Sequence, residues 1–321
     1  MGAHALDKDL DAVAGPARAE LVRRIGLSGA WDADPGWRAV FEAVPRHLFV
    51  PYYYVGAQGG YERLWGGSRD PRTRDRWLRG VYADAPLATR LRDGELVSSS
   101  SQPSLMARML VELGVTDGSR VLEIGAGTGY NAALLAHRLG DGLVTTVDLE
   151  PEITESARTH LADAGYRPTV VTGDGARGVP EHAPYDRIIA TCALPSVPPA
   201  WLAQCSPGAR VLAPLATGLI ALTVRDAEHA EGSFLDTAAY FVPLRGTGPA
   251  PADGIPHRSG DHELFRFLLT LTHGNLDPGD AHDLWERELR PGRERYGVTV
   301  ADGRVRAWLD DPEGPYTWPL R

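Results

Sequence analysis

The stretch LEIGAGTGY, Leu122–Tyr130, constrains the fold more than any other part of the chain. A short apolar run, Arg120–Ile124, ends in Gly125, Gly127 and Gly129, and helical periodicity follows over Tyr130–Leu139. A strand that feeds a helix through a loop bare of side chains lets a ligand approach the backbone. Dinucleotide binders space these glycines as G-x-G-x-x-G, which would need glycine at position 130, where Tyr130 stands. The spacing here is G-x-G-x-G. It suits S-adenosylmethionine, which has no pyrophosphate to seat on the helix N-terminus.

Two acids strengthen that reading. Asp148 ends the strand-like run Leu143–Asp148, about twenty residues past the loop, where a carboxylate can accept from both ribose hydroxyls. Gly173-Asp174-Gly175 follows a third strand, Thr169–Thr172, and Asp174 is suited to accept from an adenine amino group. Taken singly, the glycine loop also reads as a turn and Asp148 as a helix cap. Taken together, they give a candidate cofactor set. It comprises Glu123, Gly125, Ala126, Gly127, Thr128, Gly129 and Tyr130, then Asp148 and Leu149, then Asp174 and Gly175.

Around this core the chain alternates. A helix with proline in its first turn is predicted over Pro151–Ala164, and strands over Arg187–Thr191, Arg210–Pro214, Leu219–Arg225 and Leu235–Val242. Alternating strands and helices predict an α/β fold with a mostly parallel sheet covered on both faces. Upstream, helices are expected over Pro16–Ile25 and Pro35–Val44, and PRHLFVPYYY turns extended. Residues 56–80 are rich in Gly, Arg and Trp and lack a clear period. Downstream, Gly246–Pro256 reads as a linker. Beyond it come helices near Glu263–Leu271 and Pro278–Leu289, then a hairpin turned by Ala301-Asp302-Gly303. The expected organisation is therefore 1–80 as helices plus an Arg- and aromatic-rich insertion, 81–245 as the ligand-binding domain, 246–257 as linker and 258–321 as a small α+β extension.

Bulk properties narrow the partners. With 321 residues and a net charge of −9, nucleic acid is not a favoured partner. Two cysteines, Cys192 and Cys205, are too few for a disulfide framework and point to a cytoplasmic protein. No apolar run is long enough to span a membrane, and the charged N-terminus does not read as a signal peptide. His257, Asp261 and His262 lie close in sequence without forming a convincing metal motif, and no metal is expected.

Several segments carry a further resemblance. PRHLFVP, YADAPL, SQP, VLEIGAGTGYNAALLA, VTGDGARGVPEHAPYDRIIAT and VPPAWLAQ occur in order over roughly residues 44–245. In this the chain resembles the protein-L-isoaspartate O-methyltransferases. The resemblance implies a class I S-adenosylmethionine-dependent methyltransferase fold, Rossmann-like, with a seven-stranded mostly parallel sheet and helices on both faces. It implies an isoaspartyl or aspartyl carboxylate as acceptor, and adds Thr191, at the end of the fourth strand, to the cofactor pocket. Two features depart from the repair enzymes of the family. Tyr52–Val81 is much longer than their link between the HLFVP and YAD motifs, and SSSQP stands where they read close to TISQP. The insertion and the tail look like a branch found beside ATP-grasp ligases, whose ester-linked ribosomal peptides are called graspetides. That likeness implies an acidic, pre-cyclised ribosomal precursor peptide as partner, esterified on an aspartate that then closes to an aspartimide.

The chemistry explains the residues chosen. A carboxylate acceptor with a pKa near ~4 is already ionised at neutral pH, so no general base is required. The task is positioning in a dry pocket. A hydroxyl can orient the acceptor oxygen without damping it as strongly as an arginine fork. Ser101, matching the serine of SQP, is the candidate donor, with Ser100 and Asp84 as further catalytic candidates and Asp84 expected to order the loop. Ser99 and Gln102 are candidates for shaping the acceptor site. Arg72 and Arg76, from the cluster Arg69–Arg79, are candidates for gripping an acidic peptide. The plainer readings are a polar loop and N-cap for Ser98–Ser101, and a solvated helix face for the arginines. His47 reads as structural and Cys192 as a small buried hydrophobe. Two rival functions follow: general repair of isoaspartyl damage, and a non-catalytic peptide-binding escort.

Overall fold

The computed structural model describes residues 3–246 and 261–320. The chain forms two compact units, Met1–Gly118 with Ala126–Thr172, and Ser119–Gly125 with Gly173–Arg321. The expected linker, apart from Gly246, and His257 fall outside the described residues.

The first unit opens with α1 (Ala3–Leu27) and α2 (Gly36–Ala43), which bury Leu21, Val22, Ile25, Trp37, Val40 and Phe41. After Pro45 a single 3-10 turn, Arg46–Leu48, leads into a hairpin of β1 (Tyr52–Ala57) and β2 (Gly60–Trp65), with Tyr52 opposite Trp65. Helix α3 (Pro71–Val81) starts on Asp70, whose carboxylate accepts from the Arg72 and Thr73 amides. A second hairpin joins β3 (Leu87–Arg92) to β4 (Glu95–Ser100) through Asp93 and Gly94, both at positive φ, as a two-residue turn demands. The four strands make an antiparallel sheet in the order β2-β1-β3-β4. The aperiodic stretch 56–80 is thus a strand and a helix. Their signal is weak because most positions of α3 are polar, with only Trp77, Leu78 and Val81 buried.

Helix α4 (Pro103–Leu113) follows and ends on Gly114 in the left-handed region. Strand β5 (Val121–Ile124) then belongs to the second unit. The first unit resumes with α5 (Tyr130–Leu139), β6 (Val144–Asp148), α6 (Pro151–Asp163) and β7 (Thr169–Thr172). Strands β6 and β7 are parallel, with Asp148 opposite Thr172.

In the second unit β5 runs parallel to β8 (Tyr185–Ala190), and β8 runs parallel to β9 (Cys205–Leu215). Beyond β9 every pairing is antiparallel. It passes through β10 (Gly218–Val224) and β11 (Ala230–Ala238) to β12 (Tyr296–Ala301), β13 (Arg304–Leu309) and β14 (Thr317–Leu320). The expected Asp302-Gly303 turn joins β12 to β13, both residues at positive φ. Helices α7 (Asp261–Leu271) and α8 (Pro278–Arg287) belong to the same unit. Phe267 of α7 stacks edge-on against Phe234 of β11 at 4.9 Å and Tyr296 of β12 at 5.3 Å. The C-terminal extension therefore lengthens the sheet and shares its core. Among the described residues, no helix is long and apolar enough to cross a membrane.

Candidate active site

The glycine turn is held open by its own conformation. Gly125, Gly127 and Gly129 have φ of 100°, 51° and 84°, a region that side-chain-bearing residues avoid. In the first unit the Gly127 amide donates to Asp148 Oδ2 at 3.1 Å, and the Ala126 amide donates to the Val147 carbonyl at 3.2 Å. The Asp148 carboxylate, buried at the end of β6, is thereby aimed at the turn. Gly129 brings α5 against α6, because an added side-chain carbon would lie 3.2 Å from the Ala157 carbonyl oxygen. Tyr130 buries its ring against Phe49 and Phe41, at 5.5 and 6.3 Å. Its side chain serves the core, which leaves only its backbone to the turn.

The second unit holds the first residues of the turn and the remaining candidates. Thr191 donates its amide to the Ile124 carbonyl at 2.9 Å and its hydroxyl to the Gly125 carbonyl at 2.7 Å. A side-chain carbon on Gly125 would come within 2.7 Å of that hydroxyl, so Thr191 fixes the turn where the chain leaves β5. Glu123 is buried in β5, and Cys192 is buried beyond β8. Asp174 accepts the Ala176 amide at 3.0 Å, capping the 3-10 turn Gly175–Arg177. The Gly175 carbonyl accepts from Trp201 Nε1 at 2.8 Å. Backbone left bare at three glycines and a buried carboxylate held at the turn fit an adenosyl ligand. Asp148 of the first unit has the chemistry to accept from hydroxyls, and Asp174 of the second the chemistry to accept from an amino group.

The serine run is a strand. Period-two alternation along β4 buries Ser98 and Ser100 on one face and turns Ser99 to the other. A side-chain carbon on Gly127 would lie 3.6 Å from the Ser99 carbonyl oxygen and 3.9 Å from Ser98 Oγ. The end of β4 thus runs against the glycine turn. Ser98 accepts from the Thr89 hydroxyl at 3.4 Å. Ser100 is committed elsewhere, because its hydroxyl accepts from Nη2 and Nε of the buried Arg46 at 3.2 and 3.4 Å. Ser101 presents its carbonyl to Arg46 Nη2 at 3.0 Å and stands half-buried at the corner before α4.

Asp84 anchors that corner. Its Oδ1 accepts the Ser104 amide at 2.9 Å, and its Oδ2 accepts from Gln102 Nε2 at 3.3 Å. It caps the N-terminus of α4 from outside the helix, and Gln102 braces the same junction through Ser104 Oγ at 3.0 Å. His47 is buried with Nδ1 2.8 Å from the Tyr82 hydroxyl. Arg76 pairs its fork with Glu62, at 2.8 and 2.9 Å, on the exposed side of α3. Arg72 contributes its amide to the Asp70 cap, and neither arginine lines the cavity beside the turn.

That cavity is bounded by Tyr52, Thr89, Arg90, Ser98, Gly127, Thr128, Ser156 and His160. Of these, Thr89, Arg90, Ser156 and His160 escaped the sequence reading because no local motif joins them. Arg90 pairs with Glu152. His160 Nδ1 lies 3.0 Å from the Thr128 carbonyl, so the nitrogen carries the proton and donates. Burial pushes its pKa below the usual histidine value and favours the neutral ring. Among the described residues no cluster of His, Cys, Asp or Glu could hold a metal ion.

Fold and turn together define a class I S-adenosylmethionine-dependent methyltransferase. The family model described as protein-L-isoaspartate(D-aspartate) O-methyltransferase matches residues 69–247. A protein-L-isoaspartate O-methyltransferase of Aeropyrum pernix is 35% identical over 239 residues, covering 72% of this chain and 80% of the relative. The chain belongs to the protein-L-isoaspartate O-methyltransferase family. A solved structure titled protein-L-isoaspartate O-methyltransferase superposes with a TM-score of 0.63 at 24% identity, covering 94% of this chain and 98% of its own. A putative Plasmodium falciparum member in complex with S-adenosyl-L-homocysteine gives 0.53 at 14% identity, covering 70% and 97%. These two support the shared fold.

Proposed function

We propose that the enzyme esterifies an aspartyl-type side-chain carboxylate on a peptide, and that this acceptor is an aspartate of a ribosomal peptide already cyclised by an ATP-grasp ligase. The observation that carries the carboxylate chemistry is the contact of β4 with the glycine turn, which sets a hydroxyl-bearing strand end against Gly127. When bound, S-adenosylmethionine supplies a sulfonium methyl that a carboxylate oxygen takes in line as the sulfur–carbon bond breaks, leaving a neutral thioether. The chain's residues do the rest. Asp148 and the bare turn hold the adenosyl group, Ser101 orients the acceptor oxygen, and the acceptor arrives ionised, so no proton need be moved. The ester then closes to an aspartimide when a neighbouring backbone nitrogen expels methanol.

The insertion supports a structured, bulky acceptor. It is not a loop, since β1 and β2 extend the sheet that carries β3 and β4, and Tyr52 of β1 also borders the cavity. Arg63 stacks over Tyr52 and Trp65 at 5.1 and 5.5 Å, a cationic and aromatic face on that sheet. Repair of linear isoaspartyl peptides is the second reading, favoured by the names of the relatives. The 94% and 98% coverage against a structure of that name also means that insertion and tail alone do not separate the two acceptors. A cytoplasmic setting agrees with Cys192 and Cys205 forming no disulfide.

The test offers the enzyme a linear isoaspartyl peptide and an ATP-grasp-cyclised precursor. The cyclised peptide is expected to gain a methyl mass and then show a net loss of water. Turnover of the linear peptide alone would assign the enzyme to repair. Calorimetry with S-adenosylhomocysteine completes it, since absence of binding would favour a non-catalytic escort.

A further inference from the structure

The Arg46 side chain is fully buried in the first unit. Its Nη1 donates to the Val81 carbonyl at 2.9 Å and the Ala83 carbonyl at 3.2 Å. Its Nη2 reaches the Ala85, Ser100 and Ser101 carbonyls at 3.4, 3.3 and 3.0 Å, besides the Ser100 hydroxyl. All these acceptors are neutral oxygens. The Asp84 carboxylate attracts the guanidinium, but no ion pair forms between them. Burial drives the guanidinium pKa down to about 10, so the group stays charged at neutral pH.

Keeping a cation dry without a carboxylate beside it is unfavourable, and a neutral core residue would avoid that desolvation. The arrangement has two consequences that a neutral residue could not reproduce. A planar fork with five donors ties together the end of α3, the Ala83–Ala85 loop and the corner after β4, which no regular ladder joins. The positive charge also lies against the Ser100 and Ser101 carbonyls, at the corner that carries the candidate donor Ser101.

We propose that Arg46 is a positioning residue for methyl transfer: it sets the Ser101 corner and lends the acceptor site a positive potential through that corner, without touching the acceptor. This rests on the proposed carboxylate acceptor. It explains how an anionic oxygen is drawn in while keeping its nucleophilicity, since a direct arginine fork would hold the same oxygen more tightly in the ground state.

The experiment compares wild type with Arg46→Lys, Arg46→Met and Ser100→Ala on whichever of the two peptides wild type methylates. The same peptide with a carboxamide at the acceptor position serves as competitive inhibitor. S-adenosylhomocysteine affinity is expected to stay within about twofold in all three variants. A displaced corner should lower kcat by about a hundredfold in Arg46→Met. Losing the charge should raise the acceptor KM about tenfold, while the inhibition constant of the carboxamide stays put. Arg46→Lys, which keeps the charge and loses the fork, should restore KM but not kcat. Wild-type kinetics in Arg46→Met, or parallel loss of cofactor, carboxylate and carboxamide binding, would overturn the proposal. Should Arg46→Met fail to fold, Ser100→Ala decides: kcat must fall with KM unchanged, and an unaltered kcat refutes the positioning role. If wild type methylates neither peptide, the proposed function fails by itself. Amide hydrogen exchange over residues 99–105 then reads Arg46 alone, with faster exchange in Arg46→Lys expected and unchanged rates contradicting it.

Discussion

At the scale of single residues, the site is a set of small atoms with few options. Gly127 gives its amide to Asp148 and lets the end of β4 approach, and both acts require the absence of a side chain. We predict that Asp148→Asn weakens S-adenosylhomocysteine binding by about 2 kcal/mol, read by calorimetry, because the carboxylate would accept as a charged partner. Ser101→Ala should leave that affinity nearly intact and cut turnover about tenfold or more, as the proposed acceptor role requires. An unchanged rate would remove Ser101 from the mechanism. Gly129→Ala should cost about 1–2 kcal/mol in urea unfolding, because φ of 84° disfavours any side chain and the Ala157 carbonyl stands 3.2 Å away. The glycines and Asp148 were legible in the sequence because neighbours along the chain set them. The cavity residues Thr89, Ser156 and His160 were not, since only packing gathers them.

At the scale of elements, the decisive one is β4 with the corner into α4. A row of serines reads as solvated loop, yet the strand pairing with β3 splits it by parity: Ser100 turns to Arg46 while the end of the strand meets the glycine turn. No composition statistic carries that parity, because register depends on the partner strand. The start of α4 shows the same dependence, since its cap is Asp84, twenty residues upstream of Ser104. Asp84→Ala is expected to lower the unfolding free energy by about 1–2 kcal/mol and to slow turnover through the loosened corner. Asp84→Asn, which keeps an accepting oxygen, should recover most of the stability. Equal stability of all three proteins by chemical denaturation would show that the cap is dispensable.

At the scale of the whole molecule, ligand and pH are the levers. S-adenosylhomocysteine at about a hundred times its dissociation constant should raise stability by about 2.7 kcal/mol if it binds only the folded chain, seen as a rise in Tm. His160 makes stability depend on pH. Its folded pKa lies below the unfolded value, so its contribution is complete above about pH 6.5 and declines as pH falls through the lowered folded value. His160→Asn, which retains a donor toward Thr128, should lose less stability than wild type between pH 7.5 and 5.5 in urea titrations. An identical loss would assign the acid sensitivity to other groups. The sequence by itself determined the turn, its two acids and the α/β alternation, because glycine conformation, strand length and helix period are local properties of consecutive residues. The tertiary structure alone decided which serine is tied to a buried arginine, that the insertion is part of a sheet, and that the tail extends another. Those outcomes depend on contacts between residues far apart in the chain, where strand register and the need to satisfy buried polar groups select one arrangement.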